Sequence, residues 1–148
     1  YSIALGKESG RSIQGNYATA IGYQAGNDNQ NAYSIAIGAE AGKSSQNTNS
    51  VALGFKAGKD AQGLNCTAIG AYAGETGQGN NTIIINASGS GLNSSNVSNT
   101  YIKPIHSFGI NNGAAGATSN IITISGYNYG VVYCNVQTGQ LCVIGQEP

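Results

Sequence analysis

Ser2-Ile3-Ala4-Leu5-Gly6 returns four times along the chain, as Ala18-Thr19-Ala20-Ile21-Gly22, Ser34-Ile35-Ala36-Ile37-Gly38, Ser50-Val51-Ala52-Leu53-Gly54 and Cys66-Thr67-Ala68-Ile69-Gly70. The glycines stand 16 residues apart each time. A sixth copy, Thr82-Ile83-Ile84-Ile85-Asn86, keeps the register but puts Asn86 where the glycine was. Self-similarity at a short fixed period marks a stack of supersecondary units, a solenoid.

Each unit reads as a short strand with alternating faces. Leu5, Ile21, Ile37, Leu53 and Ile69 share one face with Ile3, Thr19, Ile35, Val51 and Thr67, and only alanines line the other. An all-alanine face predicts close packing against something, and the thinness of the coil predicts self-association through that face. A second glycine column follows at Gly10, Gly26, Gly42, Gly58 and Gly74. Glycine at both places predicts positive φ or close backbone approach at corners. Two glycines in every five residues exclude a helix.

Gln14, Gln30, Gln46, Gln62 and Gln78 also recur at 16 and predict an amide ladder running from coil to coil. The next position holds only Gly or Asn (Gly15, Asn31, Asn47, Gly63, Gly79), which predicts a left-handed turn there. Sixteen residues allow two short strands and two turns per coil. Five coils rising about 4.8 Å each make a rod roughly 24 Å long.

The composition agrees. Of 148 residues, 23 are Gly and only 8% are charged, so polarity comes from amides and hydroxyls. Disordered chains combine low hydrophobicity with high charge, whereas this one is 40% hydrophobic and periodic. A globular enzyme core would need more large side chains. Net charge is zero, which gives no electrostatic footprint for nucleic acid. No run approaches the roughly 18 apolar residues of a bilayer span, so no membrane insertion is expected. With neither an initiator Met nor a signal-like apolar region, the sequence reads as part of a longer or processed chain.

The unit Ser-Ile-Ala-Leu/Ile-Gly-x-x-Ala-x-Gly resembles the head repeat of trimeric autotransporter adhesins. Thr19-Ala20-Ile21-Gly22-Tyr23-Gln24-Ala25-Gly26 is also similar to repeats in fibres and tailspikes of phages and large DNA viruses. The resemblance covers residues 1 to about 90. It implies an all-β fold, a parallel β-roll or β-solenoid of 16-residue coils, three chains around one axis.

Residues 1–90 are read as the roll, with a terminal, atypical coil at Asn86, and residues 91–148 as a C-terminal β-region. Residues 87–100 read as a connector or long loop, Tyr101-Ile102-Lys103-Pro104-Ile105 as a strand, and residues 131–144 as a hairpin around Gln137-Thr138-Gly139. Pairing symmetric about Thr138 would set Cys134 opposite Cys142. The pair then forms either a cross-strand disulfide or two free thiols filling a strand face. The order of these segments resembles the distal part of viral fibres, in many of which a self-cleaving trimerisation chaperone follows. Pro148 is accordingly expected near a processing point.

Candidate chemistry is sparse. Glu8 and Glu40 share one repeat position, Asp28 and Asp60 another. Two coils separate each pair by about 10 Å, slightly beyond the usual spacing of an inverting glycosidase. Lys56 shares the Glu40 position one coil on, so an ion-pair ladder is the plainer account. His106 has no acidic or Cys cluster near it in sequence, and no Cys spacing suits zinc, so neither metal nor cofactor is expected. Asn65, Asn80, Asn86, Asn93 and Asn96 open N-x-Ser/Thr acceptor motifs for N-linked glycans. Tyr1, Tyr17 and Tyr33 share one position and read as a stacked ladder rather than a sugar platform. The expected protein is a non-catalytic homotrimeric fibre or tailspike segment on a virion or cell surface, meeting a host glycan or protein receptor. The head of a bacterial trimeric adhesin is the alternative. A polysaccharide-degrading tailspike and an ice-binding solenoid rank below both.

Overall fold

The computed structural model describes residues 1–104 and, beyond them, the strands Ile121–Ile122, Val132–Asn135 and Gln140–Val143. Residues 1–104 form an all-β solenoid of six turns. One sheet stacks seven parallel strands, Ile3–Leu5, Thr19–Ile21, Ile35–Ile37, Val51–Leu53, Thr67–Ile69, Ile83–Asn86 and Thr100–Lys103. A second stacks six, Ser12–Gln14, Asp28–Gln30, Ser44–Gln46, Asp60–Gln62, Ala73–Gln78 and Leu92–Ser94. Equivalent residues pair directly, Ala20 on Ala36 and Gln30 on Gln46, so the period seen in the sequence is the stacking register.

The interior is small and partly polar. Ala20, Ala36, Ala52 and Ala68 of the first sheet are fully buried, as are Ala25, Ala41, Ala57 and Ala73 at the first corner. Gln30, Gln46 and Gln62 reach inward from the second sheet and are equally buried. Each glutamine Nε2 donates across the coil to a first-sheet carbonyl: Gln14 to Ile3 O (2.7 Å), Gln30 to Thr19 O, Gln46 to Ile35 O and Gln62 to Val51 O (2.8 Å each). The second proton goes to the next glutamine, from Gln14 to Gln30 (3.2 Å), Gln30 to Gln46 (3.1 Å) and Gln62 to Gln78 (3.2 Å). The rung between Gln46 and Gln62 is missing. Gln46 turns to Ser50 O at 3.4 Å, and Gln62 Oε1 is left as the one buried side-chain polar atom without a partner among the described residues.

The glycines make this narrow coil feasible. Gly38 has φ of 125°, and a Cβ there would stand 2.6 Å from Gly54 O on the next coil. Gly26 has φ of 51°, and its missing Cβ leaves room for the Gln30 amide, whose carbon would lie 2.6 Å from it. Both expected reasons for glycine therefore act together.

The left-handed turn lies two positions later than expected. Tyr17, Tyr33, Asn49, Asn65 and Asn81 have φ between 55° and 60°, whereas Gly15, Asn31, Asn47, Gly63 and Gly79 are not left-handed. Glycine at the earlier position serves contact instead: a Cβ on Gly63 would meet Gln78 O at 2.6 Å. Asn and Tyr accept the left-handed region at the later one.

The stack also runs past residue 90, correcting the terminal coil placed at Asn86. Leu92–Ser94 falls within the expected connector and pairs parallel with Ala73–Gln78. Thr100–Lys103 pairs parallel with Ile83–Asn86, in a step of 17 residues. The interior is repacked there, with Ile84, Leu92 and Ser94 where the previous coil has Ala68, Ala73 and Gln78. Two large aliphatics thus take the place of two alanines where the glutamine shrinks to serine. Tyr101 fills the core of the next strand, and its hydroxyl accepts from Asn99 and Asn96 at 3.4 and 3.5 Å.

Beyond the roll, Gln140–Val143 pairs antiparallel with Val132–Asn135. The register sets Cys134 opposite Leu141 and Cys142 opposite Tyr133, one residue off the direct Cys134–Cys142 opposition expected from symmetry about Thr138. The Gln137-Thr138-Gly139 turn, His106, Pro148 and the side chains of these strands lie outside the described residues.

Two outcomes follow for denaturant unfolding followed by circular dichroism. Gly38→Ala combines a glycine-only backbone with a carbonyl clash and should cost about 3 kcal/mol or more, while Gly77→Ala should stay within about 1 kcal/mol. Gly77 meets nothing within 4 Å, and Ala61 already holds the equivalent place with φ of 54°. Gln30→Leu, which strands Gln46 Oε1 in the interior and removes the cross-coil bond to Thr19 O, should cost roughly 3 kcal/mol, and Gln14→Leu at the open first coil clearly less.

Candidate functional site

The alternation of each first-sheet strand sends the first residue of the unit and the alanine inward, and the two residues that flank the alanine outward. Ala18, Ser34, Ser50, Cys66 and Thr82 are buried beside the alanines. Ile35 is 38% exposed and Leu53 41%, and Ile3, Leu5, Ile69, Ile83 and Ile85 are exposed with them. The expectation that the alanine face is the association surface is thereby corrected. The chain's own glutamines and corner alanines cover that face. The face left open is the aliphatic one, two columns wide and seven strands tall, about 29 Å long at the spacing of parallel strands.

Charge is confined to one corner. Every charged residue between positions 1 and 80 lies on the turn after the first sheet or at the start of the second: Lys7, Arg11, Lys43, Lys56 and Lys59 against Glu8, Asp28, Glu40, Asp60 and Glu75, five of each sign. The expected Glu40–Lys56 ion pair is replaced by others. Glu40 meets Lys43 at 3.7 Å, Lys56 meets Glu75 at 4.0 Å, and Lys59 meets Asp60 at 3.4 Å. Lys56 Nζ also lies 5.1 Å from the Phe55 ring centroid and 5.7 Å from that of Tyr72, which favours its placement away from Glu40. Gln24 Nε2 donates to Glu8 Oε2 at 2.6 Å, and this hydrogen bond holds the Glu8 carboxyl below its ordinary range. Asp28 and Asp60 flank Ser44 on the ladder, one coil to either side, and both face solvent at least in part.

The opposite corner is uncharged. Tyr1, Tyr17 and Tyr33 stack at centroid separations of 5.4 and 5.3 Å, nearly parallel. Their ring faces are spent on one another, which supports the ladder over a sugar platform. Below them the column continues as an amide ladder, Asn49 donating to Asn65 (3.2 Å) and Asn65 to Asn81 (3.1 Å).

The acceptor asparagines divide. Asn65, Asn80, Asn93 and Asn96 are exposed. Asn86 is buried: its amide donates to Ala71 O (2.9 Å) and Ser90 O (2.6 Å), and its Oδ1 accepts from Ser88. A glycan has no place there in the folded chain. Cys66 holds the site that Ser34 and Ser50 fill in other coils, with Sγ 2.9 Å from Gly79 O. Among the described residues no group of three or more His, Cys, Asp or Glu could hold a metal ion.

No protein-family model, characterised protein or solved structure matches the chain. The resemblance to adhesin heads and viral fibres therefore stands on the repeat, and the fold established is a β-solenoid. The aliphatic face itself was visible in the sequence as a periodic column. Its direction was the missing datum.

Burial pushes the Cys66 thiol up from its ordinary value. In the native protein it should react with a thiol reagent at least about tenfold more slowly than a peptide cysteine, reaching the free rate in denaturant. Reaction at the peptide rate without denaturant would show the coil open at that point.

Proposed function

We propose that this chain is a non-enzymatic structural and attachment segment, a homotrimeric section of a fibre or tailspike displayed on a virion or cell surface. The observation that carries the proposal is the open aliphatic face. Eleven of its fourteen positions are Ile, Leu or Val, the others being Thr19, Thr67 and Thr100. A contiguous apolar patch of this length marks an interaction site. Covering each half-exposed aliphatic contributes on the order of 1 kcal/mol. The alanine interior supplies little burial of its own, so a single coil stack is thin in stabilising area and gains from association.

The geometry also favours a ring of like copies. Equivalent residues stack in register along the face, so copies placed side by side at the same level bury corresponding positions at every coil. The host receptor, glycan or protein, would then meet the outward sides, the second sheet and the corners. The same trimer would serve the head of a bacterial adhesin, and the order of segments from residue 81 to the closing hairpin favours the fibre reading by resemblance.

Static light scattering tests this. The chain should give three times its 15.0 kDa mass. Ile35→Lys with Leu53→Lys should reduce it to one chain mass while far-ultraviolet dichroism is kept, because both residues point away from the interior. A wild-type protein of single-chain mass at micromolar concentration would remove the proposal.

A further inference from the structure

We propose that the copies close head to tail, the tyrosine corner of one packing against the Tyr23–Phe55 edge of the next. This rests on the trimer proposed above and assigns the contacts that seal it.

The aliphatic face has two long edges. Just before its strands stand Tyr1, Tyr17 and Tyr33. Just after its glycines stand Tyr23 and Phe55. Tyr33 is 59% exposed and Phe55 41%, so both edges extend the apolar face around its corners. A ring of three cannot be built from isologous contacts. It needs a heterologous one, in which one edge meets the other edge of the neighbour. With the copies level, residues of the same coil face each other. Tyr33 then meets Ala39, and Asn49 meets Phe55, a large side chain against a small one both times. In the second coil Tyr17 meets Tyr23.

Two further observations fit. The tyrosine edge carries no charged residue, so Lys7, Glu40 and Lys56 on the facing edge meet no like charge across the contact. Tyr17 and Tyr33 also stand at φ of 60° and 59°, where the lower coils use asparagine. A bulky aromatic is an uncommon occupant of that region. Stacking covers the ring faces and leaves the ring edges in water. A neighbouring chain that covers those edges accounts for aromatics at this place.

Paired cysteines test the contact. Tyr33 and Ala39 flank the strand Ile35–Ile37, on the order of 15 Å apart in one chain and out of reach of a disulfide. In a background carrying Cys66→Ser, Cys134→Ser and Cys142→Ser, Tyr33→Cys with Ala39→Cys is oxidised and run on a denaturing gel without reductant. The expected product is three chains joined covalently, collapsing to one on reduction, while each single substitution runs as one chain. Asn49→Cys with Phe55→Cys repeats the test at the next coil, should the first pair disturb folding. A trimer by light scattering with no cross-link in either pair overturns the edge contact and leaves the trimer standing. Covalent dimers from Tyr33→Cys alone would show like edges meeting and also overturn it. Single-chain mass before oxidation overturns the trimer and the contact together.

Discussion

The structure depends on one hydrogen bond repeated in each of the first five coils, from a glutamine amide to the carbonyl of the facing strand. In Gln30 that amide spans the coil to Thr19 O and also links to Gln46 in the coil below. A buried carboxamide is costly unless its hydrogen bonds are made, and here the same bonds fix the distance between the two sheets. In those coils the sheets are held so close that, beside the glutamine, only alanine and other small residues fit between them; Ile84 and Leu92 enter where Ser94 replaces the glutamine. The large aliphatic residues of the same strands have no room inside and must face out. The interior polar ladder and the exterior apolar face are thus one constraint seen from two sides.

The repeat made much of this legible. The Ile/Thr/Val-Ala-Leu/Ile column marked the first-sheet strands, the glycines marked the corners, and the glutamine column marked the ladder. The direction of the faces was not legible, since alternation says that two faces differ and not which is inside. Convention places large aliphatics inward, or gives an alanine face to a partner. Only the reach of Gln30 and Gln46, a side chain of core size with carbonyls to satisfy, reverses the choice. The left-handed turn was misplaced because Gly15 and Asn31 carry the usual signal, while Tyr17 and Tyr33 hide it. The strand Thr100–Lys103 was expected in part, as a strand around Tyr101, but its place in the stack was obscured by the 17-residue step. The exchange of alanine and glutamine for Ile84, Leu92 and Ser94 could not be read from periodicity, because every residue that marks the interior column changes there at once.

The rod has sides of distinct chemistry. One is apolar, one corner carries all charges of the first five coils in equal number, and the other corner holds stacked tyrosines above an amide ladder. Such segregation follows from the repeat, since each coil position becomes a column and each column a surface. A function spread over columns suits an extended contact better than a pocket. That favours assembly and attachment, and gives little footing to the paired acids a depolymerase would need. An ice-binding face would want threonine in the outward columns, where aliphatics predominate.

The buried amide ladder is most directly tested by hydrogen exchange at the glutamine side chains. After transfer to deuterated buffer, the Nε2 protons of Gln30, Gln46 and Gln62 should persist in heteronuclear spectra long after those of the exposed Asn29 have gone. Loss of the glutamine signals at the same rate as Asn29 would mean that the amides face water. The coil would then not be held at alanine width, and the outward direction of the aliphatic face would have no cause.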